Sequence, residues 1–162
     1  MSRDQILKEL EEEFKLMKKD LQFGCSLDDL DDIFYIKDFI LQIGYVSKSL
    51  SRTICRRIVD TLGSWNSYLH GLIIPNPNSM ISISETKLFN EKEKEEIIKL
   101  MNKIMAFGNS NVLIGITKDK EKEAKFIDNS IKFWKEILSP KLEKIIIKVN
   151  DYWNKEAGLD FK

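Results

Sequence analysis

Four aspartates crowd one short stretch, Asp28, Asp29, Asp31 and Asp32. On a helix Asp28 and Asp32 share a face, and two such carboxylates could hold a hard divalent cation if acids from a neighbouring helix faced them. A simpler explanation is available. Ser26 is a natural N-cap, and Asp28 and Asp29 then fall in the first turn, where carboxylates interact favourably with the positive end of the helix dipole. The expectation is therefore no cofactor, with magnesium on Asp28 and Asp32 as the alternative.

A second set follows on the same stretch. Phe34, Asp38, Leu41, Tyr45, Lys48, Arg52 and Arg56 fall in one narrow sector of a helical projection, apolar at one end and basic at the other. Phe34, Leu41 and Tyr45 would anchor a protein partner or a second copy, with Lys48, Arg52 and Arg56 on the rim. The bland reading is that this half of the helix is apolar all round because it is buried. With Arg57 added, the basic end could contact phosphates of nucleic acid or of a nucleotide. Asp60 can neutralise part of that patch, and no glycine-rich phosphate loop accompanies it, so a solvated face explains it more economically. Further on, Trp65, Asn66, Tyr68 and His70 precede a proline-rich loop. Imidazole and phenol there could meet a small ligand, although a lone histidine without a nucleophile or metal cluster reads more simply as part of a packed helix end.

The run Asp28-Asp29-Leu30-Asp31-Asp32-Ile33-Phe34-Tyr35, with Ile43-Gly44-Tyr45 after it, resembles the acidic second helix of the all-α nucleoside triphosphate pyrophosphatases of the MazG type. The resemblance implies magnesium held by clustered Glu and Asp from neighbouring helices, and hydrolysis of nucleotides to monophosphate and pyrophosphate. It covers only residues 28–45. The paired glutamates of the preceding helix would have to be Glu9, Glu12 and Glu13, and Leu16 stands where a further acid is wanted. A tight hairpin at Gly24 would instead set Met17 to Asp20 level with the aspartates and leave Glu12 about 10 Å further along.

These residues must be positioned by helices. Ile6, Leu10, Phe14, Met17 and Leu21 recur every three or four positions, predicting a helix over about residues 3–22, stopped by Gly24. A second helix over about 26–70 carries the stripe Ile33, Ile36, Ile40, Ile43, Leu50, Ile54, Ile58, Leu62, Trp65 and Leu69, with Gly44 and Gly63 as its weak points. Residues 75–89, opening with Pro75-Asn76-Pro77, read as an internal loop in which Met80, Ile81 and Ile83 could form a short extended piece. Asn90 caps a third helix over about 90–107. Val112 to Ile116 is ambiguous between a helical turn and a strand, and the lack of a second strong strand favours helix. A fourth helix over about 119–155 is kinked or split at Ser139-Pro140.

The 162 residues suit one domain, 1–162. Apolar residues are 43% and charged residues 32% of the chain, which argues against disorder, and 26 basic against 26 acidic residues give no overall pull towards nucleic acid or lipid. Cys25 and Cys55 with the single His70 cannot make an ordinary zinc site, and reduced thiols suit the cytoplasm. No run approaches the roughly 18 apolar residues of a membrane span. Dense mixed charge would suit a thermophile. The expectation is an all-α antiparallel bundle of four main helices, acting as a non-catalytic interaction or adaptor protein, a homodimer or a small subunit. A magnesium-dependent nucleotide hydrolase and a nucleic-acid binder stand as alternatives.

Overall fold

The computed structural model describes residues 1–160, so the last two positions of the expected 1–162 domain lie outside the described residues. Among the described residues all regular structure is helical, and no helix is long and apolar enough to cross a membrane. Helix α1, Arg3–Leu21, opens on a reciprocal cap in which the Ser2 hydroxyl accepts the Gln5 N–H and the Gln5 side chain accepts the Ser2 N–H. It buries Ile6, Leu10 and Phe14 and ends at Gln22, left-handed at φ 59°.

The expected second helix is not one helix. It is divided into α2 (Leu27–Phe34), α3 (Ile36–Ile43) and α4 (Leu50–Ile73). The first break falls at Tyr35, φ 53°, where the Asp31 carboxylate accepts the Lys37 N–H at 2.7 Å and takes the donor that an uninterrupted helix would give to the Ile33 carbonyl. Ile33, Phe34, Ile36 and Ile40 are all buried, and a change of axis lets both apolar sides pack inward. The second break is Gly44, φ 85°, a left-handed terminus that glycine adopts without a Cβ penalty. Gly63, the other expected weak point, lies within α4 and interrupts nothing.

The 75–89 loop and the end of the third helix also differ from expectation. The 75–89 segment contains a short helix, α5 (Met80–Thr86), capped by Ser79, in place of an extended piece. The third helix, α6, runs Glu91–Thr117, ten residues past the expected end at 107. Each interior glycine costs a helix about 1 kcal/mol, and the burial of Ile114 beyond Gly108 offsets that cost. Residues 112–116 are thus helical, as favoured.

The last helix starts on the Asp119 cap and comprises α7 (Lys120–Phe133), a π-helical turn over Trp134–Leu138 and α8 (Ser139–Ala157). Pro140 has no N–H to give the Glu136 carbonyl and its ring crowds that oxygen. A wider turn, with the Ser139 N–H on the Trp134 carbonyl, accommodates it without ending the helix.

The long helices pack around a shared core. Arg52 of α4 reaches the Asn111 carbonyl and Asn66 reaches Met105, so α4 and α6 run antiparallel. Lys141 meets Glu96 and Lys148 meets Glu93, while Phe107 stacks on Phe133 with centroids 4.7 Å apart, so α6 is also antiparallel to α7 and α8. Helices α1, α2 and α3 cover one end. There the Asp128 carboxylate accepts the Gly24 and Cys25 N–H groups at 2.8 to 3.0 Å, tying the α1 to α2 turn to α7.

Candidate interaction surface

The expected partner stripe is dispersed by the two breaks. Phe34 has no exposed surface and cannot anchor a partner, and Leu41 is half-buried against the core. Tyr45 is 58% exposed in the turn after α3, and Lys48 is exposed in the same turn. Arg52 points inward. Its guanidinium lies 3.2 Å from the nearly buried Glu123 carboxylate and donates to the Asn111 carbonyl at 3.3 Å. Gly115 gives it room, since a Cβ there would stand a tight 3.1 Å from Nη2.

Arg57 is also committed, donating from Nε to the Phe34 carbonyl at 2.8 Å and lying over the Phe39 ring. The basic patch is thereby reduced to Lys48 and Arg56. Around a cleft of about 350 Å³ that includes Lys48 and Arg52, acids match the cations, with Asp20 on Lys120 and Glu123 on Arg52. That balance gives phosphate no net attraction.

Of the four aspartates, Asp28 and Asp29 lie in the first turn of α2. Asp29 forms a reciprocal cap with Ser26, which holds its carboxyl below the ordinary range, with Lys135 at 3.5 Å adding to the effect. Asp28 pairs with Lys37 at 2.8 Å, and Asp31 lies 3.8 Å from the same ammonium. Asp32 is exposed. Lys37 is pushed above its usual range, chiefly by the Asp28 hydrogen bond, and the acid of α1 that acts on it is Glu11, in place of Glu9, Glu12 or Glu13. Glu13 lines the cleft with Lys48 on another side. Among the described residues no three His, Cys, Asp or Glu side chains come together to hold a metal ion.

Trp65 and Tyr68 pack edge to face at 6.1 Å, and Trp65 meets Trp134 of the π turn at 6.2 Å. Burial and the Glu85 charge raise the Tyr68 phenol above its usual range. His70 is exposed, about 200° around the helix from Tyr68, so the imagined convergence on a ligand does not occur. At the far end a cleft of about 360 Å³ is floored by Phe89, Ile97, Leu100 and Ile145, and two of its lysines, Lys141 and Lys148, are held by Glu96 and Glu93.

A surface that sequence reasoning missed lies on α6. Ile98, Met105, Val112 and Ile116 are 42%, 53%, 60% and 74% exposed, with Leu113 beside them at 52%. With Asn102 and Asn109, both exposed, these residues recur at spacings of four and three and fall within about 80° of the helix circumference. The opposite face buries Ile97, Leu100, Ile104 and Ile114. Helix α6 is thus apolar on two sides, one packed and one open. The spacing was available in the sequence, but stopping the helix near Gly108 cut the pattern in half. Comparison of the chain with known protein families, with curated proteins and with solved structures finds no match.

Proposed function

We propose that this chain is a non-catalytic helical interaction protein that engages a protein partner through the outward face of α6. The observation that carries the reading is the exposed stripe Ile98, Met105, Val112 and Ile116, with Asn102 and Asn109 set between them, on a helix whose other side is fixed in the core. Single exposed apolar residues are ordinary, whereas four in one register with Leu113 beside them make a patch of the kind that partners cover. Antiparallel packing of α6 between α4 and the α7 to α8 helix holds the patch rigid, which lowers the ordering cost of association. Tyr45 lies outside this patch on the sequence. Two unbridged, buried cysteines support a reducing compartment such as the cytoplasm.

The test is site-specific photocrosslinking of the full-length protein inside the cells that make it. A benzophenone side chain at Val112 is expected to give one discrete protein adduct, lost when Met105→Glu is added, while the same group at exposed Glu143 on α8 gives none. No adduct at Val112, or equal adducts from both positions, would overturn the reading.

A further inference from the structure

The α6 face carries information about what covers it. From Ile98 to Ile116 its residues repeat as alternate layers, with Ile98, Met105 and Val112 seven apart in one series and Asn102, Asn109 and Ile116 seven apart in the other. No charged side chain falls on this seam between its ends. The polar groups it does present are two carboxamides, each both donor and acceptor. Covering the seam with an apolar helix would leave both amides buried without partners, at a cost of about 1–3 kcal/mol each.

We infer that the occupant is a second copy of this chain, its α6 lying parallel and in register with the first about a two-fold axis. This inference rests on the α6 face being an interaction surface. In a parallel pair like layers meet, so Asn102 faces Asn102 and Asn109 faces Asn109 of the other copy, and the amides satisfy one another. An antiparallel pair at full overlap sets Asn102 against Val112 and Asn109 against Met105, and both amides go unpaired. The isologous symmetry of a two-fold dimer therefore supplies the complement that the pattern needs. The paired length is about 28 Å. Towards the α6 start the same sector continues as Glu91 and Glu95, and repulsion between like carboxylates ends the contact there.

Oxidative cross-linking of the whole chain tests orientation and partner together. Wild type should sediment as a dimer, twice the 19.0 kDa chain mass. It should not cross-link under mild oxidation, because Cys25 and Cys55 are buried. Asn102→Cys alone should form a disulfide-linked dimer in high yield. Met105→Glu should weaken association by about 100-fold or more, since it buries an unpaired carboxylate. Circular dichroism of each variant distinguishes lost association from lost folding, since Met105, though 53% exposed, also accepts from Asn66 of α4. Cross-linking only in a mixture of Asn102→Cys and Val112→Cys chains would overturn the parallel arrangement. A monomeric wild type, together with no cross-linking of Asn102→Cys, would overturn self-pairing, while an adduct from Val112 to a different protein would leave the interaction reading standing.

Discussion

Replacing Arg52 with methionine should destabilise the fold, although sequence pattern places this residue on a partner-facing rim. The substitution keeps most of the aliphatic stem and removes the guanidinium, leaving the Glu123 carboxylate, whose side chain is only 9% exposed, without its cation. Breaking a buried ion pair from one side typically costs about 3–5 kcal/mol. The Arg52 side chain is 35% exposed, so water can partly replace it, and about 2–3 kcal/mol is expected. Glu123→Gln keeps an acceptor for Arg52 and should cost about 1 kcal/mol. In the Glu123→Gln background Arg52→Met should cost clearly less than in wild type, because no buried charge is then stranded. Urea unfolding followed by far-ultraviolet circular dichroism reads all four proteins. With a slope of about 2 kcal/mol per molar, Arg52→Met should lower the midpoint by about 1 M without changing the slope. A midpoint within experimental error of wild type, or the same loss in both backgrounds, would refute the view that Arg52 is a structural residue.

Two further outcomes follow from particular residues. Burial, reinforced by the Glu123 charge, pushes the Cys55 thiol from 9.0 up to about 12. Because the folded value lies above the unfolded one, the contribution of this thiol is complete below about pH 9 and is lost as pH rises towards 12, about 4 kcal/mol in full. The stability advantage of wild type over Cys55→Ala should therefore shrink across that window in urea titrations, and a constant difference would contradict it. Tyr35→Gly should raise stability by about 0.5 kcal/mol, since a left-handed tyrosine costs about 1–2 kcal/mol and glycine returns part of the gain as chain entropy. Thermal unfolding should show a rise of about 1–2 °C, and a fall would mean that the exposed Tyr35 ring contributes packing.

The sequence by itself determined the helical character of the chain and most helix starts. Ser2 with Gln5, Ser26 with Asp29, and Asn90 with Glu93 are local devices, complete within four residues, and each is found as a reciprocal cap. The buried stripe of α1 follows from the same short-range periodicity. The interruptions at Gly44 and beside Pro140 were legible from residue type, whereas the one at Tyr35 was not, because the rotation there depends on the Asp31 carboxylate competing for the Lys37 N–H and on what Phe34 and Ile36 can pack against. Continuation of α6 through Gly108 was hidden for the converse reason, since a locally poor helix former is overridden by burial further along.

Charge assignments depended most on tertiary structure. Arg52 and Arg56 stand one turn apart on the same helix and are indistinguishable by pattern. The positions of Glu123, far along the chain on α7, and of the Asn111 carbonyl on α6 turn the first inward while the second stays exposed. The outward stripe of α6 is the reverse case. Its register is written in local spacing, but a helix that is apolar on two sides cannot announce which side the chain will cover. That choice belongs to α4 and the α7 to α8 helix, which together occupy one side of α6 and leave the other open.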